Sequence, residues 1–148
     1  MKHLAPYALL LLVCLQSTAG FSQSGNKPKQ FSNFPDVINC TETELNKVFT
    51  ASPGQNISLS FSDNFTFAGN VKSNMARFSN LQSANIQSPA FNNSLFNISR
   101  RINEDNSVTY IGLIINRDYF DGYDLRKNSN GNYQLIKIET DRMIQDCK

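Results

Sequence analysis

The spacing of apolar residues changes twice along this chain, and the changes divide it. Residues 4–15 are almost continuously apolar, with Lys2 and His3 before them and the small residues Ser17, Thr18, Ala19 and Gly20 after them. A basic start, an apolar run of about a dozen residues and a small-residue exit make the order of a secretion signal, and the run falls short of the roughly 20 residues that span a bilayer. We read residues 1–22 as a signal peptide, which makes the mature chain secreted or periplasmic, with no transmembrane segment after signal removal. Residues 23–35, rich in Ser, Asn, Gln and Lys, read as a flexible leader, because such a composition buries too little apolar surface to order itself. Phe31 and Phe34 are the residues in it able to pack onto the domain that follows.

The first periodic segment is helical. Thr41 and Glu44 have the spacing of a capping box, and Leu45, Val48 and Phe49 share one helical face until Ser52-Pro53-Gly54 stops the run. From Asn56 the period becomes two. Strands are predicted over 57–61 and 65–71, with a turn at Asp63-Asn64 and with Gly69 marking a break or bulge in the second. A strand over 81–87 ends at Ser88-Pro89, where the proline argues for an edge or a terminus. Residues 95–102 lead through the polar turn 103–106 into 108–115, which is apolar on both faces and so predicts a central strand covered at least in part on both sides. Residues 119–127 and 133–139 flank 128–132, whose Asn130-Gly131 pair signals a hairpin. Residues 140–147 read as a short helical or irregular tail. The sum predicts a single α+β domain over residues 36–148, one N-terminal helix packed on an antiparallel β-meander of five to seven strands. An all-β sandwich or small barrel is the alternative.

Composition removes several functions. The one histidine of the chain, His3, leaves with the signal, so no Ser-His-Asp or Cys-His pair and no His-ligated zinc can form. The 14 Lys and Arg residues against 12 Asp and Glu give a net charge of +2, and no run of like charge exceeds Arg100-Arg101. Nucleic-acid binding normally requires a basic stripe or patch, so none is expected. A carboxylate-only hydrolase needs two acids held about 5 to 9 Å apart, and no acid-bearing motif stands out. We expect a protein that is not an enzyme and needs no cofactor.

Of three cysteines, Cys14 leaves with the signal. In an oxidising compartment Cys40 and Cys147 then form an even pair, and a disulfide between them closes a loop of about 100 residues, with a chain-entropy gain on the order of 4 kcal/mol.

The segment richest in candidate chemistry runs over residues 116–124. Asp118, Asp121 and Asp124 offer carboxylates for calcium, although the spacing departs from the alternate-ligand pattern of a calcium loop and lacks its terminal glutamate. In an extended strand Asp118 and Asp124 lie roughly 20 Å apart, so they converge only if the segment forms a tight loop. Tyr119, Phe120 and Tyr123 are candidates for an aromatic surface that binds a glycan or peptide. The plainer reading of the same residues is a turn and a strand. The functional expectation is a small exported binding module for a protein, peptide or glycan, including inhibition of a secreted enzyme. The alternative is a structural or envelope-associated protein that assembles through its sheet edges.

Overall fold

Alternation of inward apolar and outward polar residues produces eight strands: β1 (Val37–Cys40), β2 (Asn56–Ser62), β3 (Phe65–Phe78), β4 (Leu81–Ser88), β5 (Ser94–Ile102), β6 (Val108–Ile115), β7 (Asp121–Lys127) and β8 (Tyr133–Glu139). One helix, α1 (Glu42–Thr50), joins β1 to β2, and a single 3-10 turn (Pro89–Phe91) joins β4 to β5. The computed structural model describes residues 27–140. The expected signal peptide, the first part of the expected leader, Cys147 and the expected tail beyond Thr140 lie outside the described residues. No helix among the described residues is long and apolar enough to cross a membrane.

All neighbouring strands are antiparallel, in the order β1-β8-β7-β6-β5-β4-β3-β2. β1 and β2, at the two ends of that order, lie in contact, so the sheet curls into a nearly closed barrel. Eight strands enclose an interior just wide enough for side chains to fill, and Leu59, Phe67, Val71, Ile86, Phe96, Ile98, Ile114, Leu125 and Leu135 are all buried there. The alternative drawn from the sequence, a small barrel, therefore describes the fold better than a helix on a five-to-seven-strand meander.

The strand missed in the sequence is β1. Its four residues alternate exposed and buried, too short a run to establish a period, and it forms only because β8 offers an edge. Gly69 is not a bulge. It pairs with Ile57 inside β3, and a Cβ there would lie 2.4 Å from the Gln87 carbonyl oxygen, so glycine is required by the closeness of β4. The register shifts of β3 against β4 fall instead at Val71/Ser73 and Ala76/Phe78, and they let β3 run on to Phe78. Pro89 ends β4, yet β4 is a central strand. The outer face of β6 is open at Ile111, since a barrel covers only its inner face.

A meander barrel has two open ends, and each is closed differently. At one end Leu45, Val48 and Phe49 of α1 are buried against the interior. Thr41 accepts the Glu44 N–H as N-cap, but the reciprocal half of the capping box is absent: the Glu44 carboxylate instead accepts the Ser60 N–H of β2 and pairs with Lys47. Asn74 on β3 donates to the carbonyls of Val48, Phe49 and Ala51, serving helix-end acceptors of which only Val48 has a local partner, the Ala51 N–H. Gln82 on β4 donates to Phe49 and to Asn74 Oδ1, and accepts from Arg100 on β5. Arg100 also donates to Asn46 and lies over the Phe49 ring. Beside this end β6 and β7 pair at only Gly112, Leu113 and Ile114 before diverging. There the Tyr133 hydroxyl takes the Tyr110 N–H at 3.0 Å and lies 3.4 Å from the Val108 carbonyl, standing in for the missing ladder.

The other end is closed by residues 27–35, which make no regular strand. Phe31 is fully buried, with its ring 5.1 Å from that of Tyr123 and 5.4 Å from that of Phe91. From Lys27 onward the segment expected as leader is thus part of the barrel, held by the aromatic residues that a composition argument underweights.

Candidate functional site

β7 and the turn before it place the candidate residues of 116–124 in three different environments. Tyr123 points inward and is fully buried, and its hydroxyl donates to the Pro35 carbonyl at 2.7 Å. Burial, with Asp121 and Asp36 nearby, raises its phenol above the ordinary value. Tyr119 and Phe120 are half-buried in the turn. Their carbonyls accept from the Thr140 hydroxyl, and the Phe120 N–H donates to the Pro28 carbonyl at 3.0 Å. The three aromatics therefore do not share one open face.

The three aspartates are divided in the same way. Asp121 is buried and points inward; its two carboxylate oxygens accept the N–H groups of Gln30 and Phe31 at 2.6 and 2.9 Å. Asp124, three positions on, faces outward, because successive strand residues alternate, and it pairs with Arg126. Asp118 is exposed in the turn. Among the described residues no group of three His, Cys, Asp or Glu side chains is placed to hold a metal ion.

Cys40 is buried and carries no disulfide; its Sγ lies 3.6 Å from the Ile38 carbonyl. Burial pushes its thiol up to about 12. Cys147 lies outside the described residues. β1 pairs Cys40 with Tyr133 at the start of β8, and β8 runs from there toward the opposite end of the barrel, so Cys40 and the exit point of the tail lie roughly 20 Å apart along the strand.

Two features emerge that the sequence did not single out. The first is the grip on residues 27–35: the Asp121 carboxylate, the Tyr123 hydroxyl, the Phe120 N–H and Lys137, whose Nζ donates to the Phe34 carbonyl at 2.6 Å. Lys137 also pairs with Asp36 at 2.8 Å, and that hydrogen bond holds the Asp36 carboxyl below its ordinary value. Nothing in the local sequence around Lys137 announces this role, since it depends on the pairing of β8 with β1. The second is a set of open apolar side chains toward the helix-capped end of β3–β6. Phe78 is 70% exposed, Ile111 62%, Met75 49% and Ile102 40%. Beside Ile111 a shallow groove of about 350 Å³ is lined by Leu81, Ser99, Arg101, Asn103 and Thr109. Ile102 ended a strand in the sequence pattern, where an apolar residue normally signals core, and Phe78 fell between the predicted strands.

The class of molecule so defined is a small antiparallel β-barrel with a filled interior, plugged at one end by a helix and at the other by its own N-terminal segment. No family model matches the chain, and no curated protein or solved structure shows significant similarity to it.

Proposed function

We propose that the chain is a small exported, non-catalytic binding module that recognises a protein, peptide or glycan through the outer surface at the helix-capped end of β3–β6. The observation that carries this reading is the exposure of Phe78 and Ile111, at 70% and 62%, each beside a surface depression. Met75 is also open on β3, whereas Ile102 follows the inward alternation of Phe96, Ile98 and Arg100 and reaches solvent only at the rim. A singly exposed apolar side chain is ordinary, but large ones that border surface depressions at one end of a sheet suit an interaction surface. Two further observations support it. The interior is occupied by side chains rather than shaped to hold a substrate, and several carboxylates are committed to structural partners: Asp121 to Gln30 and Phe31, Glu44 to Lys47 and Ser60, Asp105 to Ser107, Asp124 to Arg126. Assembly through sheet edges, the other reading, is less favoured because β1 and β2 lie against each other.

The test compares the wild-type chain with a Phe78→Ser, Ile111→Ser variant of unchanged melting temperature, each immobilised against secreted and surface material of the source. Saturable capture of one component by the wild type, lost in the variant, is the expected result. Capture that the two substitutions leave unchanged, or no saturable capture at all, overturns the reading.

A further inference from the structure

We propose that the end of the barrel around Asp121 is itself a peptide-binding site, for a short segment that folds in a turn and carries a phenylalanine, and that residues 27–35 occupy it in cis as a displaceable plug. This site lies at the opposite end from the surface around Phe78 and rests on different residues.

The contacts divide sharply between main chain and side chain. The barrel takes two consecutive N–H groups of the plug on Asp121, at 2.6 and 2.9 Å. It supplies three donors to plug carbonyls: the Phe120 N–H to Pro28 at 3.0 Å, Lys137 Nζ to Phe34 at 2.6 Å and the Tyr123 hydroxyl to Pro35 at 2.7 Å. All five bonds go to groups that every peptide carries, provided the N–H positions are not proline. Sequence is read at Phe31, whose ring meets Phe65, Phe91 and Tyr123 of the barrel, and secondarily at Phe34, which packs on Phe31 and on the same Phe65 and Phe91. Main-chain bonds for affinity with pockets for anchor side chains is the division of labour by which domains recognise peptides.

The plug also fits the site imperfectly. Gln30 accepts from the Ser94 hydroxyl at 2.7 Å, but its Nε2 is buried with no hydrogen-bond partner, and such an orphan has a desolvation cost that a better ligand avoids. The plug contributes no rung to any sheet, so leaving the site breaks none of the ladder bonds of the barrel. While attached, it competes at the high effective concentration of a tethered segment, so a foreign peptide gains access when the plug is weakened.

The test uses the full chain and a fluorescent synthetic peptide of residues 27–36. Phe31→Gly weakens the plug and vacates its pocket. The variant is expected to bind the peptide at least about tenfold more tightly than the wild type does. Replacing the phenylalanine of that peptide at position 31 by alanine, or combining Phe31→Gly with Asp121→Asn in the protein, is expected to reverse most of the gain. Equal binding by variant and wild type, or a gain that survives both changes, overturns the proposal. Hydrogen exchange on the unaltered chain keeps the question open to test if Phe31→Gly does not fold. The Gln30 and Phe31 amides should exchange by a local opening, at least about tenfold faster than those of Leu45 and Val48 in α1. If they exchange only with global unfolding, the plug never vacates the site and the proposal fails.

Discussion

The two ends of the barrel are closed by segments of similar length that solve the same problem in opposite ways. α1 satisfies most of its own backbone groups, and the barrel has only to finish its C-terminal end, which Asn74 does with one amide on three carbonyls. Residues 27–35 satisfy little of their own backbone beyond a Phe34 to Phe31 turn, and the barrel supplies the rest from Asp121, Tyr123 and Lys137. The helix is also tied into the chain on both sides, between β1 and β2, whereas among the described residues the N-terminal plug continues into the barrel only through Pro35 and Asp36. A closure with its own hydrogen bonds and two covalent anchors can leave only when the barrel unfolds. One with borrowed hydrogen bonds and a single anchor can leave alone, and that difference gives the two ends separate stabilities.

The sharpest way to break this comparison is to remove one anchor from each end. Leu45→Ala in the helix should lower global stability by about 2 to 5 kcal/mol, the range for a buried leucine whose surroundings relax only partly. In a rigid site Phe31→Ala would cost about 3 to 5 kcal/mol. Once the plug detaches, however, its loss cannot exceed the free energy of docking, so Phe31→Ala should cost less than Leu45→Ala. For the same reason Asp121→Asn should add little to Phe31→Ala, because the second change acts on a contact already lost. Chemical denaturation of the four variants measures both effects. A Phe31→Ala cost above that of Leu45→Ala, or costs that simply add, would show that the two ends are equally integral.

A smaller effect comes from the polar clamp on the helix. Asn74→Ala leaves the carbonyls of Val48, Phe49 and Ala51, and the Gln82 amide, without their shared partner. Val48 keeps the Ala51 N–H and Phe49 keeps Gln82, so the Ala51 carbonyl is the group left stranded, and a loss of about 1 to 3 kcal/mol is expected. The same variant should leave exchange of the Gln30 and Phe31 amides unchanged relative to global stability, since Asn74 lies at the other end. Amide exchange in parallel with thermal melting checks both parts, and faster opening of the plug in Asn74→Ala would mean that the ends communicate.

How much of this was legible in the sequence follows from which forces are local. The face made by Leu45, Val48 and Phe49, the Thr41 cap and the strands from β2 to β8 rest on periodicity, and the structure places them close to where the pattern does, except that β3 runs on past Val71 to Phe78. The Asn130-Gly131 signal marks the right hairpin, although Asn128 organises a five-residue loop there by accepting from Asn130 and Asn132. Closure into a barrel was weighed only as an alternative, because it depends on β1, whose four residues carry no period of their own. The N-terminal plug was hidden for a different reason. Its composition is that of a disordered segment, and its order comes from Asp121, Tyr123 and Lys137, some ninety to a hundred positions away in the chain. Asp121 and Tyr123 stood out in the sequence as candidates for metal and ligand. They stood out because an acid and an aromatic set among turn residues look available, whereas β7 turns both inward.

The smallest effect expected is a pH dependence that reports on the helix-capped end. Cys40 sits in that end, and burial raises its folded-state pKa from 9.0 to about 12. Above pH 9 the unfolded chain therefore releases the thiol proton before the folded one does. The contribution is fully present below pH 9 and is lost as pH rises toward 12. Between pH 9 and 10 the loss from this one group is about 1 kcal/mol. Other groups titrate in the same window, and Tyr123, whose pKa is also raised, adds a fall of the same sign from pH 10 upward. Comparing the wild type with Cys40→Ala isolates the thiol: the variant should lose about 1 kcal/mol less between pH 9 and 10 by denaturant unfolding. The native thiol should also resist alkylation at pH 8 at a rate set by unfolding, because a buried, protonated sulfur is a poor nucleophile. Plug variants such as Phe31→Ala should not speed that alkylation beyond their effect on global stability. Rapid labelling of Cys40 in Phe31→Ala would show instead that vacating one end opens the interior to the other, and the barrel would then be one cooperative unit rather than two closures on a common wall.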